Sequence, residues 1–256
     1  MPSTAIRPLL IVVSMAAIPA AVARIHTSYG SFQERISTAR SQAPAGNTVL
    51  TRSQMVEALG SFREDDGVVD AEEHAFLDGM LSDGGFLAGF TGAARKYLRD
   101  FEELNDAGDA APLLLRHVTA PGDQLLGAKG ALASAVRVAE GYIIDGQSLA
   151  NNDTLQEAYR AALADPGVNE DPLWFEPITL RQLMELLGGD AHQQTPSPDE
   201  VDGAVAYLTQ VSPGEHLYAG HWHSKSRDSE STGYVIAAVS ADRRFMRMLR
   251  VTSSSD

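Results

Sequence analysis

Arg63-Glu64-Asp65-Asp66-Gly67-Val68-Val69-Asp70-Ala71-Glu72-Glu73 is the stretch on which the fold turns. Carboxylates crowd one glycine, a branched apolar pair follows, and Asp70 with Glu73 has the spacing in which two side chains satisfy orphan amides at a helix N-terminus. Gly67 takes positive φ at little cost. The spacing therefore predicts a turn, a short extended rung at Val68 and Val69, and a helix from about Ala71 to Leu81. Asn47 to Gln54 repeats this order position by position against Asp66 to Glu73, with Thr51 and Gln54 as a second capping box. A helix from about Arg52 to Ser61 then places Met55, Leu59 and Phe62 on one face, opposite Phe76, Leu77, Met80 and Leu81 on the second helix. The two helices are expected to pack face to face, with Leu50 and Val69 meeting at the corner as a short β-bridge.

The second segment resembles the back half of an EF-hand loop, in which glycine holds the sixth place, a branched apolar residue the eighth and a carboxylate the twelfth. Gly67, Val69 and Glu73 occupy those places. Counting back, Asp66 falls at the fifth place, Glu64 at the third and Phe62 at the first, where an EF-hand carries its leading aspartate. The resemblance covers residues 47–81 only. It implies at most weak calcium binding, through Glu64, Asp66, Asp70 and Glu73, in a unit whose first role is structural. The two segments lie too close in sequence to be two complete EF-hands.

Outward from this unit, residues 24–46 are polar and poor in large apolar side chains, and are expected to form a flexible arm. Beyond a Ser-Asp-Gly-Gly break at 82–85, Phe86, Phe90, Ala94, Tyr97, Phe101 and Leu104 follow at helical spacing. Leu125, Leu132, Val136, Ala139 and Ile143 suggest another helix. Asp153, Thr179 with Gln182, and Ser197 with Glu200 mark further helix starts. After Pro213 and Gly214 the character changes. Residues 216–223, 233–241 and 245–251 are rich in aromatic and branched side chains between polar turns, which reads as an antiparallel meander. The expected fold is α+β, with a mostly helical body over 47–211 followed by a small three-stranded sheet and tail over 212–256.

Thirty-four acidic against twenty basic residues give a formal charge of −14. Such a surface repels phosphate backbones and argues against a nucleic-acid partner. Cysteine is absent, which excludes disulfides, thiol nucleophiles and cysteine-ligated metals. Arg7 precedes an apolar run from Pro8 to Ala20, and Ala21-Val22-Ala23 supplies small residues of the kind a signal peptidase accepts. Residues 1–23 are expected to be an export signal, the alternative being a buried strand at Leu9 to Val13. The run is too short to predict stable membrane insertion. Export without cysteine fits a bacterial periplasmic or secreted protein.

Two further patterns bear on chemistry. His221 and His223 share one face of an extended segment, and Asp228 or Glu230 in the following loop would complete a site suited to a borderline metal or to general acid–base work. Gly146-Gln147-Ser148-Leu149-Ala150 resembles the nucleophile elbow of the α/β-hydrolases, but a turn ending a helix accounts for it better. The cluster of Arg243, Arg244, Arg247 and Arg250 reads as solvated strand-edge charge. The sequence thus leads to an exported, effector-like or envelope interaction protein with a protein partner. The alternative is a hydrolase using His221, His223, Asp228 and Glu230.

Overall fold

The computed structural model describes residues 27–43, 49–64, 68–106, 113–144, 149–165, 169–170, 173–213, 216–225 and 230–255. The expected export signal, Asp66, Asp228 and Ser148 lie outside them.

The N-terminal third is helical: α1 (Thr27–Ser41), α2 (Arg52–Leu59), α3 (Ser61–Glu64), α4 (Ala71–Ser82), α5 (Gly84–Ala88) and α6 (Gly92–Leu104). Their apolar faces close on one core, in which Leu50, Met55, Leu59, Phe62, Leu77 and Leu98 are fully buried. The capping boxes start the helices where their spacing predicts. Gln54 Oε1 accepts from Thr51 N at 2.9 Å, and Asp70 accepts from Glu72 N and Glu73 N.

Three local expectations change here. The stretch expected as an arm contains α1, because Tyr29, Phe32 and Ile36 recur at helical spacing; Phe32 and Ile36 are buried, and Tyr29 stacks on Phe76 at 4.7 Å. The continuous helix expected from Phe86 to Leu104 is broken at Gly89, since Thr91 Oγ1 accepts from Ala94 N and caps a new start. The corner at Leu50 is bridged to Phe90, not to Val69: Leu50 N donates to Gly89 O and Thr91 N donates to Leu50 O, both at 2.9 Å.

The remainder carries β1 (Leu113–His117), α7 (Gly122–Leu126), α8 (Ala131–Ala135), β2 (Val136–Ile143), α9 (Asn152–Ala162), β3 (Asn169–Glu170), β4 (Glu176–Pro177), α10 (Leu180–Leu187), α11 (Pro198–Thr209), β5 (His216–Lys225), β6 (Glu230–Val239) and β7 (Phe245–Ser255). The expected three-stranded C-terminal sheet is overturned. A wholly antiparallel sheet runs β1-β2-β7-β6-β5-β3, with β4 pairing on the same outer edge of β5 as β3. β1 and β2 come from within the expected helical body. β2 escapes a periodicity test because it is buried on both faces: Val138 enters one core and Ala139 and Ile143 the other.

Helices cover both faces of the sheet. α9 packs with Tyr218, Trp222, Val235 and Met248 on one side; α7, α8, α10 and α11 pack with Leu217, Ile236, Leu249 and Val251 on the other. The arginine cluster is also reassigned, because two of its members turn into the interior. Arg250 is 2% exposed and Arg243 8% exposed. Arg243 turns inward from a left-handed turn position (φ 57°) and donates to Ala150 O. Among the described residues, no helix is long and apolar enough to cross a membrane.

Candidate functional site

The helical unit and the sheet unit meet along a polar seam. Asn152 fixes it from α9: its Nδ2 donates to Asn105 Oδ1 at 3.2 Å, just beyond α6, while its Oδ1 accepts from Phe175 N at 2.9 Å. Arg52 Nη2 reaches across to Pro177 O at 2.8 Å, and Arg63 forms an ion pair with Glu176. Burying these groups is tolerable because each is matched to a partner across the seam.

Two clefts flank this contact. The larger, about 710 Å³, lies among Arg63, Glu64, Asp106, Asp153, Gln156 and Trp174. The second, about 600 Å³, is bounded by Arg63, Trp174, Glu176, Gln182, Glu185 and His221. Arg63 and Trp174 belong to both, with the guanidinium 5.5 Å from the indole centroid, so the pair forms the divider of one extended groove. Trp174 Nε1 is buried and has no hydrogen-bond partner among the described residues. Arg63 is matched by Glu176; of the acidic side chains along the clefts, Glu64 pairs with Arg35, Glu185 with Arg181 and Asp106 with His74, and Asp153 adds a further carboxylate.

Three of the four anticipated calcium ligands are described, and each has a protein partner. Asp70 caps α4, and Glu73, 1% exposed, returns a carboxylate oxygen to Asp70 N at 3.1 Å. Glu64 hydrogen-bonds Arg35, whose guanidinium holds its pKa below the usual carboxylate value. The histidine pair diverges in use. His223 Nε2 lies 2.8 Å from Glu230 Oε1, a contact that lowers the Glu230 pKa, whereas His221 is exposed at the rim of the second cleft.

Two side-chain sets bring three potential ligand atoms within 4.8 Å of one another among the described residues, and neither contains an anticipated ligand. The first joins His74 and Asp78 of α4 to Glu102 of α6; His74 Nε2 is 2.8 Å from Glu102 Oε1 and 3.8 Å from Asp106 Oδ1. Burial, together with the nearby Asp78, Asp106 and Glu103 carboxylates, raises the Glu102 pKa despite His74. The second set is Asp100, Glu103 and His216, between α6 and β5. Burial raises the Asp100 pKa against the opposing hydrogen bond from Lys96, and His216, 3.3 Å from Glu103, lowers that of Glu103. Lys96 already supplies a positive charge to this second set, which reads as an ion-pair network tying the two units.

Sequence reasoning missed both sets. Part of the signal for the first was present: His74 and Asp78 stand one helical turn apart on α4. What the sequence did not contain was the packing of α4 on α6. Comparison with protein-family models, curated proteins and solved structures gives no match.

Proposed function

We propose that this chain is an exported interaction protein that holds an extended basic segment of a protein partner in the seam groove. The observation that carries this reading is the pair of clefts joined at Arg63 and Trp174. A groove divided by an aromatic side chain suits an elongated ligand, and the carboxylates along it, Asp153 and the partly exposed Asp106 among them, favour a cationic one. The formal charge of −14 adds long-range attraction for such a partner and repulsion of anionic ones.

Support for the hydrolase alternative is weaker. His223 is held by Glu230 where both side chains are substantially exposed, and His221 faces a cleft without its expected companion. The acidic turn fits a structural role, since Asp70 and Glu73 serve the start of α4.

The test is a titration of the full chain with extended Lys/Arg-rich peptides, acidic peptides of equal length and neutral oligosaccharides, followed by tryptophan fluorescence and calorimetry. The chain has two tryptophans, and Trp222 is 2% exposed, so a ligand in the groove reports through Trp174. Basic peptides are expected to change the emission, to bind more weakly as salt rises, and to lose the signal in Trp174→Phe. Equal binding of acidic peptides would sink the reading. Preference for the neutral oligosaccharides would replace a protein partner with a glycan.

A further inference from the structure

We propose that His74, Asp78, Glu102 and Asp106 form a binding site for a divalent transition cation, Zn²⁺ or Mn²⁺, between α4 and the end of α6. This site is separate from the acidic turn and adjoins the larger cleft at Asp106.

The donors come from two packed elements. His74 and Asp78 are one turn apart on α4 and project to a common side; Glu102 lies in the last turn of α6, and Asp106 follows just beyond that helix. The ligand atoms of His74, Asp78 and Glu102 all lie within 4.8 Å of one another, and His74 Nε2 approaches Asp106 Oδ1 to 3.8 Å.

His74 Nε2 is buried and sits 2.8 Å from Glu102 Oε1, an ion pair when the imidazole is protonated, but makes no aligned hydrogen bond among the described residues. Around that nitrogen lie the carboxylates of Glu102 at 2.8 Å and Asp106 at 3.8 Å, with a ligand atom of Asp78 within 4.8 Å. A cation among the His74, Asp78 and Glu102 donors, with Asp106 alongside, would give the nitrogen a further partner and offset the carboxylate charge.

The donor chemistry selects the metal class. One imidazole nitrogen with carboxylate oxygens suits borderline first-row cations, whereas Ca²⁺ and Mg²⁺ take all-oxygen shells. The Asp106 side chain is 44% exposed and lines the larger cleft, and Asp78 is exposed, so an ion has a path from solvent.

The test uses the full chain stripped with chelator, titrated separately with Zn²⁺, Mn²⁺ and Ca²⁺, with binding read by calorimetry and melting temperature. Zn²⁺ or Mn²⁺ is expected to raise the melting temperature, with affinity falling by at least about tenfold in His74→Gln and in Asp78→Asn. Asp78 is exposed, so Asp78→Asn keeps the metal-free fold, verified by an unchanged circular dichroism spectrum and metal-free melting point. A His221→Ala/His223→Ala double variant is expected to bind as the wild type does. The proposal fails if neither transition ion binds, if Asp78→Asn and His74→Gln bind with wild-type affinity, if the His221/His223 variant abolishes binding, or if Ca²⁺ binds the same residues as tightly as Zn²⁺ and Mn²⁺.

Discussion

Arg250 lies with its guanidinium carbon 3.8 Å from the centroid of the Trp222 indole, which itself donates Nε1–H to Val251 O at 3.1 Å. The same guanidinium pairs with Asp165 at 2.9 Å, just past α9, so one charged side chain ties the last strand to the helix covering it. A charge 98% removed from water is tolerable only with such matching. Arg250→Ala leaves a hole beside Trp222 and removes a partner from Asp165. Because Asp165 is 39% exposed and is also bound by Arg137, solvent and that second arginine compensate in part. The expected loss is about 2 to 3 kcal/mol in urea denaturation, with Arg250→Met retaining more stability by filling the space. A loss under about 0.5 kcal/mol, the range of ordinary surface substitutions, would show that the buried charge contributes nothing.

The bridge from Leu50 to Phe90 fixes the entries of α2 and α6, and both residues are within 1% of complete burial. Leu50→Ala deletes buried methyl groups at a point where two helix starts are joined by backbone hydrogen bonds, so the site has little freedom to collapse. The expected cost is about 3 to 5 kcal/mol. Val69→Ala removes fewer atoms at a position outside that bridge and is expected to cost less. Thermal unfolding of the two variants ranks them; a larger loss at Val69 would move the structural corner back to the acidic turn.

Glu200 is 1% exposed and serves two elements. It completes the Ser197 capping box of α11, accepting from Ser197 N at 2.9 Å, and it accepts from Ala133 N of α8 at 2.9 Å. Burial works to raise its pKa, but the backbone donors outweigh that and hold it below the usual carboxylate value. A folded-state pKa below the unfolded one means that its contribution is full above the unfolded value of about 4.3 and is lost as pH falls through the folded value. Glu200→Gln is therefore expected to cost roughly 1.5 to 3 kcal/mol at pH 7, with the gap to wild type narrowing below about pH 4. Gly130 faces this carboxylate with φ of 157°, and a Cβ there would run into it. Gly130→Ala is expected to destabilise in a way that the Glu200→Gln background does not fully relieve, because the backbone angle remains strained. Urea titrations across pH 3 to 7 check both statements; a gap that stays constant with pH would remove the ionised carboxylate from the account.

The helix starts at Thr51, Asp70, Thr179 and Ser197 were legible because a cap is a local event, written in four consecutive residues. Strand β2 was not, because a central strand with a core on each side has no polar face to set its period. The corner partner was misassigned for a related reason. Val69-Asp70 and Phe90-Thr91 both match Leu50-Thr51 as an apolar residue followed by a cap, and only the packing of α6 against α2 selects the second. The cluster of His74, Asp78 and Glu102 was not legible, since spacing within α4 or α6 says nothing about which helix lies opposite.

Strand β1 offers the last test, because it pairs with β2 alone among the described strands and leaves its other edge without a partner strand. Leu114 is 64% exposed and its cross-strand neighbour Tyr142 is 56% exposed, while Tyr142 packs on Phe245 at 4.7 Å. This apolar row borders a second row in which Arg116 and Arg247 bracket Glu140. The two arginine hydrogen bonds hold the Glu140 pKa down against the opposing effect of burial. An exposed apolar edge invites strand pairing between copies, and a charge placed there discourages it. Leu114→Lys is expected to leave unfolding free energy within about 0.5 kcal/mol of wild type, because the side chain already faces solvent. It is also expected to reduce self-association at high concentration, measured by light scattering and sedimentation velocity. Association unchanged by that lysine would show that the Arg116–Glu140–Arg247 row already protects the edge.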